Sequence, residues 1–534
     1  MDEQEKAFNL LDEPWILVKT RSNETKIWSI LDTFQYAHEV QALAGELPTQ
    51  DFAIMRLLLS IMHAAFINEN IEDQEDALEC WKELWEMKQF PFSIVREYLE
   101  QYRERFWLFH PTCPFYQSAN IVQNMMQFKA DKGKKVSEDI KWKTVARLVG
   151  DLFQSDNAPR LFPGRTGMYK DRLSYGEAAR WLLHLNGFDD DSAKMPTPKG
   201  VGYLGKLGLV YVTGKNLFET LMLNFVLVDQ RGEIFADGQA ESRAYWEKSV
   251  CETIERMIAP PRAQKDLLTL QSRRILLRRE HGQVTGYLLT MGDYIEDDAS
   301  ILNEMMTTWK SDDKKGIVPK KHQLECQIWR DFPALLGMVN KQELQPGVVC
   351  WMRKVQKKLP ELKRFKITVT GAAYSLKGAG WQIVDYIYDD LSVNASLLAP
   401  MNETWIQAII DVLDKTKQAV SELGKLSFHI AETSGDSDKN RKKNSALMAR
   451  ESGYHQLDGL FRNWLLTIDT EQDSLIDKIT EWLEIARQTL LTLGDDMLRQ
   501  CAENAVVGRK NQEGEINAIK AYQRFKLNIM TLLG

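Results

Sequence analysis

The sequence has few of the patterns that mark secreted, membrane-bound or zinc-holding proteins. Its 534 residues include only six cysteines, scattered without a CxxC pair, so we expect free thiols and no zinc site. No apolar run approaches the roughly 20 residues of a transmembrane helix. The first residues are acidic, unlike a signal peptide. We therefore expect a cytoplasmic protein with no membrane contact.

The common catalytic motifs are also missing. The sequence contains no HExxH, Walker A lysine, GxSxG or DxDxG pattern. His63 lies in an apolar helical run, which predicts a core histidine, and His110 beside Cys113 lacks the third group of a nucleophilic triad. Three consecutive carboxylates at residues 189–191 predict a solvated turn rather than a cation site, because their side chains point in different directions. We expect no enzyme, cofactor or metal.

Length and pattern predict an α+β fold with two parts. A chain of this length exceeds one ordinary core. Before residue 400, short β-like runs alternate irregularly with helical stretches, without βαβ spacing. Strands are predicted at residues 15–19, 207–212, 284–291, 365–370 and 383–388, and helices at residues 50–66, 94–105, 175–185 and 217–224. We predict a large irregular mixed domain over residues 1–399 and an all-α bundle over residues 400–534.

The C-terminal part carries four apolar stripes with helical spacing. They start at Ile406, Tyr454, Leu475 and Ile516, and each repeats at intervals of three and four residues. Four such helices predict a four-helix bundle. The connection over residues 424–444 is predicted to be a long mobile loop. It carries four cations: Lys439, Arg441, Lys442 and Lys443.

A glycine-rich run, residues 200–205, fits G-x-G-x-x-G in the wrong context for a dinucleotide. A proline-rich stretch precedes it and a β-like run follows it, whereas a dinucleotide fingerprint follows a strand and opens a helix. The run therefore predicts a loop whose backbone approaches something closely. We call it the glycine segment.

Three basic clusters suit phosphate contact, although a solvated face explains any one of them as well. The net charge of −7 does not predict nucleic-acid binding, so the local distribution matters. The clusters are Arg273, Arg274, Arg278 and Arg279 around a strand; Lys310, Lys314, Lys315, Lys320 and Lys321 in a loop; and seven cations within residues 353–366.

Ordered motifs along almost the whole chain resemble the large subunit of the type I-E CRISPR Cascade surveillance complex, the CasA family. Each is weak alone, but their order and spacing are specific. They are NLLDEPWI from Asn9, PTCPFYQ from Pro111, LSYGEAARWL from Leu173, GKLGL from Gly205, NLFETL from Asn216, DLLTLQSRRI from Asp266, IWRDFPAL from Ile328 and GAAY from Gly371.

The resemblance implies a non-catalytic DNA-binding subunit. Members of the family recognise the protospacer-adjacent motif (PAM) on double-stranded DNA, promote duplex opening and recruit a helicase-nuclease. The implied partners are the other Cascade subunits, the 5′ handle of the CRISPR guide RNA, target double-stranded DNA and the helicase-nuclease. The rest of the sequence specificity comes from guide pairing.

The resemblance also assigns residues. The PAM-contacting glycines correspond to Gly200, Gly202 and Gly205. An aromatic near the guide handle corresponds to Phe162, and a minor-groove lysine to Lys310. A duplex-opening hairpin corresponds to residues 374–382, but its tip offers Lys377 and Gly378, and Gln382 falls on the returning strand. The bundle, with Lys439, Arg441, Lys442 and Lys443, would contact the displaced strand or neighbouring subunits.

Two other classes of function stay open from the sequence. One is a nucleotide-dependent enzyme that uses the glycine segment. The other is a protein-interaction scaffold that uses the bundle.

Overall fold

The computed structural model of the chain describes residues 5–67, 70–131, 141–150, 164–190, 200–249, 254–295, 303–337, 344–359, 361–377, 380–511 and 514–534. The chain forms two compact units. The mixed unit comprises Met1–Leu324, Lys341–Lys358 and Ile367–Asp389, and the helical unit comprises Glu325–Asn340, Leu359–Lys366 and Asp390–Gly534. The boundary predicted after residue 399 stays a prediction, and the helical unit as observed also takes in two earlier segments.

Helices and strands together confirm the predicted α+β class. The helices are α1 (Ile30–Tyr36), α2 (Pro48–Phe66), α3 (Gln74–Glu86), α4 (Phe92–Gln101), α5 (Ile121–Asp131), α6 (Val145–Leu148), α7 (Met168–Asp171), α8 (Tyr175–Phe188), α9 (Leu217–Asn224), α10 (Gln264–Leu267), α11 (Phe332–Leu336), α12 (Gly347–Gln356), α13 (Glu403–Thr433), α14 (Lys439–Thr467), α15 (Leu475–Arg499), α16 (Glu503–Val507) and α17 (Ala518–Leu533). Among the described residues, no helix is long and apolar enough to cross a membrane.

The strands are short except for one long hairpin. They are β1 (Ala7–Asn9), β2 (Ile16–Thr20), β3 (Thr25–Trp28), β4 (Val40–Leu43), β5 (Trp107–Phe109), β6 (Lys143–Thr144), β7 (Leu209–Thr213), β8 (Arg256–Met257), β9 (Arg273–Glu280), β10 (Gln283–Met291), β11 (Asp293–Tyr294), β12 (Trp309–Asp312), β13 (Gly316–Pro319), β14 (Arg364–Lys377), β15 (Gly380–Asn394), β16 (Arg509–Asn511) and β17 (Gly514–Ile516). The three-stranded sheets have the orders β3-β2-β4, β6-β10-β9 and β15-β14-β7. Every strand predicted from the sequence overlaps an observed one.

In the mixed unit, the apolar helices α2 and α8 are buried along most of their length. Neither shows a single apolar stripe, because residues all round each helix are buried. Ser174 and Glu177 form a capping box that starts α8. The predicted core position of His63 is confirmed, since its side chain is 2 % exposed and lies 3.2 Å from Asp237.

In the helical unit, α13, α14, α15 and α17 pack together as the predicted bundle. Aromatic rings fill its centre: Phe461, Trp464 and Trp482 have centroids 5.0–5.4 Å apart. Trp464 and Trp482 are 2 % and 0 % exposed, so their predicted core positions are confirmed. Ile476, the second residue of the predicted stripe that starts at Leu475, is exposed instead, because it faces outward in the first turn of α15.

The predicted mobile loop over residues 424–444 is wrong. Helix α13 continues to Thr433 and α14 begins at Lys439, so only residues 434–438 connect them. The Asp438 carboxylate accepts hydrogen bonds from the N–H groups of Asn440 and Arg441, which caps α14. The polar, charged composition suggested a loop, but it suits the exposed first turns of a long helix equally well.

Candidate nucleic-acid interface

The glycine segment packs closely against the rest of the protein at two of its three glycines, against backbone at Gly202 and against a side chain at Gly205. A Cβ atom at Gly202 would lie 2.4 Å from the carbonyl oxygen of Gly187, and one at Gly205 would lie 2.2 Å from the hydroxyl of Tyr374. Both positions therefore need glycine for internal packing. Gly200 differs: its φ is +79° and a Cβ would meet no atom of the described residues within 4 Å. Of the three, Gly200 alone leaves room for a side chain next to the described part of the chain.

The segment leads into a strand, as its sequence context predicted. A single 3₁₀ turn at Leu204–Lys206 follows the glycines, and β7 begins at Leu209. A dinucleotide fingerprint would open an α-helix at this point and place its N–H groups on a pyrophosphate. The local geometry therefore favours a backbone-contacting loop over a phosphate cradle.

Tyr374 on β14 joins the glycine segment to the long hairpin of β14 and β15. Its hydroxyl donates to the carbonyl oxygen of Phe188 over 3.0 Å, and its ring packs beneath Gly205. The ammonium of Lys321 lies 5.5 Å from the ring centroid. Burial raises the pKa of the Tyr374 hydroxyl well above its ordinary value, so it stays a neutral donor.

A second hairpin, β12–β13, is attached to the end of the glycine segment. The Thr308 N–H donates to the Gly208 oxygen and the Lys320 N–H to the Thr308 oxygen, both over 2.8 Å. A Cβ atom at Gly208 would lie 1.8 Å from the Lys320 oxygen, which explains that glycine. The β14–β15 hairpin contacts Gly205, and the β12–β13 hairpin contacts Gly208 three residues later. Both hairpins therefore lie next to the C-terminal end of the glycine segment.

The β12–β13 hairpin carries exposed cations. The predicted loop is wrong for Lys310, which lies on β12, whereas Lys314 and Lys315 lie in the turn between the strands. The N–H groups of Lys314 and Lys315 donate to the Asp312 carboxylate over 3.0 Å, and these bonds lower the pKa of Asp312. No ion pair joins Lys310, Lys314 or Lys315 to a described carboxylate within 4.0 Å. Their charges are available to solvent or a ligand.

The far end of the β14–β15 hairpin presents apolar side chains beside the predicted wedge residue. Gln382 lies on the returning strand β15, where the sequence placed it, and is half-buried. Its neighbour Trp381 is 44 % exposed, and Leu376 near the end of β14 is 62 % exposed. Lys377 ends β14, whereas Gly378 and the predicted guide-handle residue Phe162 lie outside the described residues.

Charged residues predicted at the surface are buried beneath the glycine segment. Asp189 and Arg273 are 0 % and 1 % exposed in their side chains and form an ion pair of 2.7 Å. The solvated turn predicted at residues 189–191 is therefore wrong for Asp189 and for Asp190, which is also buried, and the phosphate-contacting role predicted for Arg273 is wrong too. Arg274 is equally buried, against Asp293.

Two further groups beside this pair have shifted pKa values. Burial and the Asp189 carboxylate raise the pKa of Asp190 to about 6, against the opposing effect of Arg147 at 3.4 Å. Burial lowers the pKa of the Lys143 ammonium to about 8. Both shifts have desolvation as their main cause, which disfavours the charged form.

The basic cluster of residues 353–366 is partly neutralised. Lys358, just after the end of α12, forms an ion pair with Glu75 of α3. Lys354 of α12 donates a hydrogen bond to the side chain of Gln74, which also belongs to α3. In the helical unit, Lys366 lies 3.5 Å from Asp390. This cluster is therefore a weaker candidate for phosphate contact than the β12–β13 hairpin.

The four predicted cations of the helical unit differ in their availability. Lys442 lies 3.5 Å from Glu432 and over the Phe428 ring, and its side chain is 13 % exposed. Arg441 is 71 % exposed but pairs with Asp436. Lys439 and Lys443 are exposed with no described carboxylate within 4.0 Å. Two of the four therefore keep an unpaired charge.

Sequence reasoning missed the exposed Trp381 and the buried partner of Arg273. A tryptophan that follows the sequence Lys-Gly-Ala-Gly was a local signal for the first. No local signal existed for the second, since Asp189 and Arg273 lie 84 residues apart in the chain.

Comparison with known proteins identifies the family. A family described as CRISPR-associated protein Cse1 matches residues 9–493. The chain belongs to this Cse1 family. The resemblance to the large subunit of type I-E Cascade is thereby confirmed. In this Cse1-family protein, the glycine segment and both hairpins lie inside the matched region.

Individual relatives support the same family over nearly the full length. A CasA/Cse1 protein of Thermus thermophilus is 24 % identical over 494 residues, which cover 87 % of this chain and 88 % of that one. The crystal structure of Thermobifida fusca Cse1 matches with a TM-score of 0.82 and 27 % identity, covering 100 % of this chain and 99 % of that one. A chain from a structure of a CRISPR RNA-guided surveillance complex matches in fold, with a TM-score of 0.76, 16 % identity, and coverage of 98 % and 100 %.

Proposed function

We propose that the chain is the non-catalytic large subunit of an RNA-guided antiviral complex and recognises a PAM on double-stranded DNA. The observation that carries this proposal is the meeting of three elements in a Cse1-family chain. The glycine segment, the cationic β12–β13 hairpin and the end of the β14–β15 hairpin all belong to the mixed unit and are tied together around Tyr374 and Gly208. Together they offer a backbone edge, unpaired cations and exposed apolar side chains.

Each element suits a different part of duplex DNA. Gly200 holds its backbone in a positive-φ conformation with no described side chain within 4 Å of its Cβ position, so base edges can approach the backbone there. Lys310, Lys314 and Lys315 supply charge that neutralises phosphates and releases counterions. Leu376 and Trp381 are apolar groups of the kind that proteins insert between base steps.

We assign duplex opening to the end of the β14–β15 hairpin. In this assignment Trp381 stacks on a base of the opened duplex, while Gln382, Lys377 and Gly378 contact its backbone or edges. Base–aromatic stacking contributes about 1–3 kcal/mol per base, which is enough to favour a locally unpaired state. The proposal extends to contact of Phe162 with the 5′ handle of the guide RNA.

The same proposal includes the partners of the chain. The fold match to a chain of an RNA-guided surveillance complex supports assembly with other Cascade subunits and a guide RNA. Recruitment of the helicase-nuclease to the opened DNA completes the role. Degradation of a target after reconstitution with and without this chain tests the recruitment step.

The DNA contact is tested by two isosteric variants at Gly200. Asn and Asp both tolerate positive φ better than other side chains, and the space around Gly200 accommodates either. Gly200→Asp places a negative charge at the proposed interface, whereas Gly200→Asn has the same shape without the charge. In the reconstituted complex, we expect Gly200→Asp to bind a PAM-bearing duplex at least tenfold more weakly than Gly200→Asn, about 1.4 kcal/mol.

Equal affinity of the two Gly200 variants would contradict the assignment of the glycine segment to DNA. Gly202 is unsuitable for this test, because any Cβ there meets the Gly187 oxygen and disturbs the fold. Guide-RNA binding of each variant serves as the assembly control.

Lys310 tests the cationic hairpin. Lys310→Ala should reduce the slope of log affinity against log salt by about one unit if the lysine contacts a phosphate, and should also change flank preference if it enters the minor groove. Lys358→Ala, which removes a cation paired with Glu75, is the matched control and should change neither. A scaffold function without DNA contact predicts no change from any of these variants.

A further inference from the structure

Three consecutive peptide groups of the glycine segment are each fixed by one hydrogen bond to the interior. The Gly200 carbonyl oxygen accepts from Arg273 Nη2 over 2.6 Å. The Gly202 N–H donates to the Asp189 carbonyl oxygen over 2.8 Å, and the Tyr203 N–H donates to Ser272 Oγ over 3.2 Å. The backbone conformation of the segment is therefore fixed by hydrogen bonds to buried residues.

The bond to Arg273 sets the direction of one donor. The C=O of Gly200 and the N–H of Val201 belong to the same peptide plane, and in a trans peptide they point in opposite directions. Because the Gly200 oxygen points at the buried guanidinium, the Val201 N–H points away from it. Among the described residues, no acceptor for this N–H is recorded.

Arg273 is itself held rigidly. Its Nε donates to Asp189 Oδ2 over 2.7 Å, its Nη1 donates to the Ser272 oxygen over 2.9 Å, and its backbone N–H donates to Asn186 Oδ1 over 3.1 Å. The planar guanidinium thus bridges the carboxylate of Asp189 and the carbonyl of Gly200 in one fixed geometry. A buried ion pair contributes little net stability, so a role in fixing one conformation is the better reason for it.

We propose that Arg273, oriented by Asp189, is the positioning residue of the glycine segment and aims the Gly200–Val201 peptide at the flanking base pairs of target DNA. This inference rests on the proposed function of the segment. Arg273 contacts no DNA itself and acts only through the backbone that it holds.

The neighbouring residue Arg274 provides a matched control. It lies on the same strand, β9, with its side chain on the opposite face and 0 % exposed. It pairs with Asp293 at 2.5 Å and donates to the oxygens of Gln271 and Ile254. Arg274 therefore has the burial and charge of Arg273 without a bond to the glycine segment.

The experiment compares Arg273→Met with Arg274→Met in the reconstituted complex with guide RNA. The ratio of affinities for duplexes with and without the preferred flank is measured, together with hydrogen exchange of amides 201–203. We expect Arg273→Met to reduce the flank ratio about tenfold, as loss of one charged hydrogen bond would, and to speed exchange of these amides. Arg274→Met should change neither, although both variants lose a buried charge.

Arg273→Lys keeps the test decisive if the methionine variant does not fold. Lysine retains a charge for Asp189 but lacks the second arm that reaches the Gly200 oxygen. The flank ratio should still fall, while Arg274→Lys keeps the wild-type ratio. Unchanged exchange and flank ratio in the Arg273 variants would overturn the inference. A wild-type complex without flank discrimination would instead overturn the proposed function, and the exchange measurement would still decide whether Arg273 positions the segment.

Discussion

The mixed unit and the helical unit differ in how deeply they bury ion pairs. In the described part of the mixed unit, three ion pairs have both side chains less than a tenth exposed: Arg56–Glu304, Arg273–Asp189 and Arg274–Asp293. In the described part of the helical unit, every ion pair has both side chains more than a tenth exposed, and several are spaced i, i+3 or i, i+4 along one helix.

The difference follows from the kind of fold that each unit adopts. Parallel apolar stripes are enough to specify a helical bundle, so charges can stay in water. An irregular fold made of short strands and loops needs specific hydrogen bonds to fix the conformation of each loop. A fully hydrogen-bonded ion pair has a defined geometry, which an apolar contact lacks. The stability of the mixed unit is therefore sensitive to mutation of these residues, because a buried charge that loses its partner is strongly destabilising.

The largest expected effect tests the apolar side of this comparison. Trp482→Ala should lower the unfolding free energy of the helical unit by about 3–5 kcal/mol, because the ring is 0 % exposed and its Nε1 donates to Thr416. Denaturant unfolding, with hydrogen exchange to assign the transition, measures it. Ile476→Ala on the same helix, 76 % exposed, should stay within about 0.5 kcal/mol. Equal effects of the two variants would disprove the core assignment.

The next effect tests the buried charges. Glu304→Gln should destabilise the mixed unit by about 3 kcal/mol, because it removes the negative charge and replaces by a donor one of the two oxygens that accept from Arg56 over 2.9 and 3.0 Å. Adding Arg56→Met should recover part of the loss, which a double-mutant cycle measures. Asp414→Asn, which breaks an exposed pair with Lys417, should cost less than about 1 kcal/mol. A similar cost for both pairs would remove the contrast between the units.

The helical unit could be predicted well from the sequence, because its information is local. The four stripes each fall on one of α13, α14, α15 and α17, although the stripe from Tyr454 covers only the second half of α14 and Ile516 ends β17 just before α17. The error came at residues 439–443, where composition suggested a loop. The cap at Asp438 and the good helix propensity of lysine and arginine make these residues the start of a helix instead.

The mixed unit could be predicted only in part, because its decisive contacts are remote in sequence. Strands and glycine contexts were recognisable, and β7 follows the glycine segment as expected. Asp189 and Arg273 were each taken for surface groups, since a charged residue alone gives no sign of a buried partner. Only the fold shows that Gly202 and Gly205 are small because Gly187 and Tyr374 lie against them.

A smaller effect is expected on the pH dependence of the unfolding free energy, and it should appear in the mixed unit and not in the helical unit. Burial raises the pKa of Asp51 to about 7, against the opposing effect of its hydrogen bond from the Gly45 N–H. Because the folded pKa lies above the unfolded one, the stabilising contribution is complete below about pH 4 and is lost as pH rises toward 7. Asp51→Asn, which cannot ionise, should gain about 1–2 kcal/mol relative to wild type between pH 5 and 7.

Unfolding of both proteins at several pH values checks the Asp51 prediction. The difference between wild type and variant isolates Asp51 from other groups such as His184, whose pKa burial lowers to about 3 and whose contribution has the opposite sign. A constant difference from pH 5 to 7 would show that Asp51 ionises normally. The transition of the helical unit should not respond to this variant.

The smallest effect on stability is expected from the exposed cations of α14. Lys439 and Lys443 have no described carboxylate within 4.0 Å, so replacing both by Ala should change the unfolding free energy by less than about 0.5 kcal/mol. If the bundle contacts the displaced strand, as predicted from the sequence, the salt slope of opened-duplex binding should fall by up to about two units, with flank preference unchanged. Lys442→Met is the contrasting variant, because this lysine is occupied by Glu432 and Phe428 and should leave the salt slope intact. A reduced slope for Lys442→Met and none for the double variant would reverse the assignment. The helical unit would then bind phosphate through a charge that is already paired, contrary to the separation of core and surface that distinguishes it from the mixed unit.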